Sequence, residues 1–115
     1  MKHQTICFVN TTKAWGGGEK WHFDAAMHFQ NRGHNVIAIT NKNSRLHERL
    51  VDKGIRCFRV RITKLSFLNP FIILKIARIL KKESVRCMVM NLSSDMKTAG
   101  LAAGLAKTEK VVYRR

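Results

Sequence analysis

The sequence is short of acidic residues. Of its 115 residues, 22 are Lys or Arg and 7 are Asp or Glu, which gives a formal net charge of +15 with His neutral and a pI near 10.7. Proline is scarce as well, with a single residue, and no stretch is low in complexity or repeated, so a Pro-rich linker and a repeat array are both excluded. No apolar run is longer than Phe71–Leu74, far below the roughly 18 residues of a membrane-spanning helix. The early run Ile6–Val9 is too short for a signal-peptide core and has no small-residue cleavage site after it. The three cysteines, Cys7, Cys57 and Cys87, are odd in number, widely spaced and without a Cys-x-x-Cys pair. That excludes a disulfide framework and predicts buried reduced thiols in a cytoplasmic protein. The five His form no helical i, i+4 pair with a Glu, so no metal is expected.

What is present is enough apolar residue for one core. Ile, Leu, Val and Phe make up 32 of the 115 residues, above the roughly one-fifth below which disorder is expected. The length suits one domain. The positive charge therefore decorates a folded surface.

Strand-like and helix-like segments alternate. Thr5–Val9 is a short β-rich run followed by a loop, Asn10–Gly18. Glu19–Arg32 reads as a helix with Phe23, Ala26 and Met27 on one face and Gly33 at its end. Val36–Thr40 is a second strand, and Ser44 caps a helix over Arg45–Lys53 that Gly54 stops. Arg56–Ile62 reads as a third strand. Asn69-Pro70 opens a helix over Phe71–Glu83, with Pro near the first helical position. Arg86–Asn91 is a fourth strand. Ser93, Ser94 or Asp95 caps a helix over Met96–Ala106, whose Ala and Gly residues suit close packing on a sheet. Lys110–Tyr113 is a fifth strand. This order predicts an α/β, three-layer Rossmann-like domain with a parallel sheet of about five strands in the order 3-2-1-4-5.

In such a sheet, ligands bind beyond the carboxyl ends of the strands at the switch point. Trp15-Gly16-Gly17-Gly18-Glu19-Lys20 sits there. Glycines let a backbone approach a ligand closely, and a helix N-terminus favours phosphate. The spacing is neither the dinucleotide fingerprint nor a P-loop. Trp15 is placed to stack on a sugar ring.

Val9-Asn10 with Trp15–Lys20, the junction Arg32-Gly33-His34-Asn35-Val36, the segment Leu50–Ile55 and Asn91-Leu92-Ser93-Ser94-Asp95 together resemble the amino-terminal, acceptor-side domain of retaining glycosyltransferases of the two-Rossmann-domain (GT-B) architecture, in the large family four. The resemblance covers essentially the whole chain. It implies transfer of a sugar from a nucleotide-sugar donor, a substrate rather than a cofactor, to a saccharide or lipid-linked envelope acceptor. It implies donor or acceptor contacts at Gly16, Gly17, Gly18, Glu19, Lys20, Asn91, Ser93 and Arg114. Many members carry a His near the transferred sugar where this chain reads Tyr113-Arg114-Arg115. The carboxylate motif for the donor belongs to a carboxy-terminal domain. The 115 residues are thus expected to be one half of a two-domain enzyme, inactive alone and prone to self-association through an exposed fifth strand.

The charge has three candidate partners. The helix from Phe71 carries Lys75, Arg78 and Lys82 on one stripe, flanked by Phe71 and Leu74. A basic face mixed with exposed apolar residues suits an anionic membrane, which fits a protein peripheral to the inner face of the cytoplasmic membrane. A solvated face packing on a neighbouring element is the alternative, as is a non-enzymatic basic module that holds anionic membrane or polymer. Nucleic acid is not expected, since no zinc-finger, RNP or basic-heptad module is present.

Overall fold

Helices and strands alternate along the chain in the expected order. The computed structural model describes residues 4–12, 16–41, 43–63, 65–90 and 92–113, with Ser93 described in its backbone alone. The elements are β1 (Thr5–Asn10), α1 (Gly17–Asn31), β2 (Asn35–Thr40), α2 (Arg45–Asp52), β3 (Arg56–Arg59), a 3-10 turn (Ser66–Leu68), α3 (Pro70–Lys82), β4 (Val85–Met90), α4 (Ser93–Ala106) and β5 (Lys110–Tyr113). All five strands are parallel, in the order β3-β2-β1-β4-β5.

Adjacent strand residues point to opposite faces, so each strand feeds two cores. Ile6 and Phe8 of β1 and Val36 and Ala38 of β2 pack with Ala26 of α1 and with Leu46 and Leu50 of α2. Their neighbours Cys7, Val9, Ile37 and Ile39, with Met88 and Met90 of β4, pack against Ile76 and Leu80 of α3 and the alanines of α4. A sheet covered on both faces needs continuous apolar strands, which is why these runs show no alternation.

Local chemistry sets the element ends. Ser44 Oγ accepts from His47 N at 3.0 Å and Asn69 Oδ1 accepts from Phe71 N at 3.0 Å, each satisfying an amide that the helix leaves open. Gly33 and Gly54 adopt φ of 88° and 81°, which lets the chain leave α1 and α2 through the left-handed region that a glycine enters at little cost.

Several details depart from the sequence reading; α1 starts at Gly17 rather than Glu19, so Gly17 and Gly18 belong to the helix and not to the loop. β3 ends at Arg59 rather than Ile62, although Val60 N still donates to Thr40 O at 3.0 Å. Leu92, which makes no side-chain cap, stands at the N-cap of α4, and Asp95 turns inward. Gly100 and Gly104 do not touch the sheet, since a Cβ at either would meet nothing within 4 Å. The close approach is made by Ala99, Ala102 and Ala103. Cys7 is buried, whereas Cys57 and Cys87 are half-buried; all three are free. Burial raises their pKa values, that of Cys57 to about 11, which keeps the thiols protonated and unreactive at neutral pH.

Candidate functional site

The connections from β1 and β4 diverge to opposite sides of the sheet, so the switch point lies between these two strands, at their carboxyl ends. The amino end of α1 opens there. Gly16 is its N-cap in an extended conformation, with no side-chain cap, and Lys20 N donates to Gly16 O at 3.0 Å. The first amides of α1, at Gly17 and Gly18, precede any intrahelical acceptor and sit at the positive end of the helix. A Cβ on Gly17 would meet nothing within 4 Å, so the backbone there is bare.

Beneath this helix end lies a buried polar cluster. Asn10, the last residue of β1, donates from Nδ2 to Glu19 Oε2 at 3.1 Å, and the same nitrogen is 3.4 Å from His22 Nδ1. Asn10 Oδ1 accepts from Thr12 N at 3.2 Å, which turns the chain out of the strand. Glu19, one of the expected site residues, is thereby held inward. Lys20 points the other way and pairs with Asp24 at 2.9 Å on the solvent side of α1.

A second connection ties this end of β1 to α4. Asp95 Oδ2 accepts from Thr11 N at 3.1 Å and Asp95 Oδ1 from Thr11 Oγ1 at 2.5 Å. Burial pushes the Asp95 carboxyl above its usual range, and the two bonds from Thr11 oppose that shift. The chain on both sides of the glycine segment is thus fixed by buried polar contacts, one set to α1 and one to α4.

Of the residues expected at this site, Gly16, Gly17, Gly18, Glu19 and Lys20 lie at the amino end of α1. Trp15, Asn91 and Arg114 lie outside the described residues, as does the side chain of Ser93. Asn10 and Asp95 entered the sequence reading only as part of the motifs that carry the resemblance, Asp95 also as a helix cap, and neither they nor Thr11 and His22 were expected as site residues. The spacing of Glu19, His22 and Ala26 along one inward helix face was the signal available for two of the contacts. No group of three His, Cys, Asp or Glu among the described residues could hold a metal ion.

The family model for glycosyl transferase 4-like proteins matches residues 5–115. The chain belongs to that family. No curated protein sequence matches it. A Rickettsia africae glycosyltransferase structure is similar in fold, with a TM-score of 0.79 at 23% identity over 98% of this chain and 30% of that one. HepE of Anabaena, in a complex with UDP-glucose, gives 0.74 at 18% identity over 96% of this chain and 29% of that one. The lipopolysaccharide outer core galactosyltransferase WaaB gives 0.73 at 19% identity over 95% and 32%. This glycosyl transferase 4-like chain therefore spans about a third of the length of these structures.

On the opposite flank of this domain, α3 presents the residues singled out as membrane-facing. Phe71 is 80% exposed and Leu74 is 54% exposed, beside the exposed Lys75, Arg78 and Lys82. Two open grooves flank this ridge. One, of about 670 Å³, lies toward α4 and is lined by Leu74, Ala77, Arg78 and Leu105; the other, of about 590 Å³, lies toward Phe58 and Phe71. Among the described residues no helix is long and apolar enough to cross a membrane.

Proposed function

We propose that this chain is the amino-terminal, acceptor-side half of a two-domain glycosyltransferase that moves a sugar from a nucleotide-sugar donor to a saccharide or lipid-linked envelope acceptor. The observation that carries this reading is the glycine-opened end of α1 at the carboxyl end of β1, in a chain of the glycosyl transferase 4-like family. A helix N-terminus whose backbone is bare of side chains suits an approaching diphosphate. In the intact enzyme these amides would stabilise the charge that develops on the departing nucleoside diphosphate while an acceptor hydroxyl attacks the anomeric carbon. Asn10, Glu19, Thr11 and Asp95 position that backbone by fixing both ends of the glycine segment. Donor-binding carboxylates would come from the second domain, so the chain alone would bind weakly and not turn over. The UDP-glucose complex of HepE, similar in fold, supports a nucleotide-sugar donor, and the envelope activity named for WaaB supports an envelope acceptor.

The exposed face of α3 fits the same reading. Between Arg61 and Lys82 the sequence has no acidic residue. Cations interleaved with exposed Phe71 and Leu74 suit the surface of an anionic bilayer, where a lipid-linked acceptor would be met. Self-association through β5 is the further expectation for a chain studied without its second domain.

The binding half of this reading is tested on the chain itself. Adding UDP should shift the NMR amide signals of Gly17, Gly18, Glu19 and Lys20. Gly17→Val should abolish those shifts while leaving thermal stability nearly unchanged, because the new side chain enters open space. Unaltered UDP binding by Gly17→Val would remove the helix end from the site.

A further inference from the structure

We propose that the carboxyl ends of β2 and β3 form a subsite for an oxyanion on the acceptor, a phosphate or a carboxylate, held by Arg59 and His47. The proposal rests on the glycosyl-transfer reading above and names the class of acceptor.

Thr40 and Arg59 are register partners at the ends of their strands. Paired residues leave a sheet on the same face, and here that face is covered by α2, whose Leu46 and Leu50 pack on Ala38. The first turn of α2 brings His47 onto the same spot, with Nδ1 2.7 Å from the hydroxyl of buried Thr40. That bond fixes the ring and leaves Nε2 without a partner among the described residues. Arg59 is exposed, and among the described residues no carboxylate lies within ion-pair distance of it. Burial and the nearby Arg59 charge hold the His47 imidazole below its ordinary pKa, against a smaller opposite effect from Glu48 on the same helix.

The register and the Thr40 contact thus place Arg59 and the orientated His47 imidazole on one face at the carboxyl ends of β2 and β3, where among the described residues no carboxylate pairs with the guanidinium. An oxyanion satisfies both. It accepts two parallel bonds from the guanidinium fork, and its charge favours the protonated imidazole. The register runs Asn10 to Thr40 to Arg59 across three strands. Two strand spacings place the subsite about 10 Å from the end of β1. The anion would sit away from the reacting hydroxyl, which makes Arg59 and His47 specificity-determining residues rather than catalytic ones.

The shared chemistry has two sources, a phosphorylated or lipid-diphosphate acceptor and an acidic sugar. Titrating the chain with inorganic phosphate, glucuronate or glucose, followed by NMR, separates them. Both anions should shift the His47 ring and Arg59 side-chain signals saturably, move the imidazole toward its protonated form, and leave glucose without effect. Tighter binding of phosphate selects the phosphorylated acceptor; tighter binding of glucuronate selects the acidic sugar. Arg59→Gln should weaken anion binding about tenfold or more, as expected for the loss of a charge-assisted pair. Lys53→Gln, at the far end of α2, should leave it unchanged. The subsite is overturned if the anions shift His47 no more than glucose does, or if the two variants weaken binding equally, which would mean diffuse attraction to a basic chain. A UDP response at Gly17–Lys20 without an anion response at His47 overturns the subsite alone. Silence in both overturns the wider reading as well.

Discussion

Strands β1, β2 and β3 end in Asn10, Thr40 and Arg59, whereas β4 and β5 end in Met90 and Tyr113. The same asymmetry continues into the helices. On the α1–α2 side, polar groups are turned inward and bonded: Asn10 to Glu19, Thr40 to His47, and His47 N to Ser44. On the α3–α4 side the inward positions are mostly apolar, Asp95 and Thr98 of α4 being the buried polar exceptions, and the outward ones mix lysine and arginine with Phe71, Leu74, Leu101 and Leu105, all exposed. A buried polar group costs free energy unless it is bonded, so the first side is shaped around its own hydrogen-bond network. Exposed apolar residues among cations gain nothing from water. The second side has the composition proposed above for a bilayer contact.

The largest effect that could break this comparison is on the second side. Replacing both Phe71 and Leu74 with Ser removes two large apolar groups from the proposed bilayer contact. At about 1.5 kcal/mol or more for each group, the loss is about 3 kcal/mol, roughly a hundredfold in partitioning. Sedimentation with anionic vesicles should show that loss, while the unfolding midpoint stays the same because neither side chain belongs to a core cluster. Equal pelleting of wild type and variant, or equal pelleting on neutral and anionic vesicles, would show that the face is not a membrane surface.

Asp95 joins the two sides, since it lies on α4 and holds the end of β1. Asp95→Ala leaves a buried amide and hydroxyl of Thr11 without their acceptor, at an expected cost of about 2–3 kcal/mol in urea unfolding. Asp95→Asn retains one acceptor oxygen and should cost about 1 kcal/mol. If Asp95→Ala were neutral, the bond to Thr11 would not hold the glycine segment in place.

The two sides were not equally legible in the sequence. The sheet order followed from apolar runs broken by Ser44, Gly33, Gly54 and Asn69-Pro70, because each of these acts through local backbone chemistry. The exposed stripe on α3 was legible for the same reason, since helical spacing alone places Phe71, Lys75, Arg78 and Lys82. The polar network was not. Asn10 and Thr11 read as loop residues, and Asp95 as a helix cap, because their partners lie on other elements; for Thr11 and Asp95 the separation is 84 residues. Local propensity carries no information about such a pair. The cap reading failed because a carboxylate near a helix start can satisfy its own helix or reach across to a neighbouring strand. Gly100 and Gly104 misled in the opposite direction, since small residues mark close packing only when they face the sheet.

The smallest expected effect sharpens the first side. His47 has its pKa lowered by burial and by Arg59. A histidine held below its unfolded value favours the neutral form in the folded chain, so its contribution to stability is complete above the unfolded pKa of about 6.5. That contribution is lost as pH falls from there through the folded value. Asp95 works in the other direction, because its raised carboxyl removes stability as pH climbs above the ordinary Asp range. The fall in stability as pH drops below the ordinary histidine value is assigned to His47 by measuring it in an Asp95→Asn background, which removes the titration of that carboxyl. His47→Gln should flatten it. Arg59→Gln should flatten it partly, because it removes one of the two causes and leaves the other, and it should raise the His47 midpoint seen by NMR. An Arg59→Gln chain with an unchanged midpoint would separate these side chains and leave Thr40–His47 as a packing contact at the end of β2.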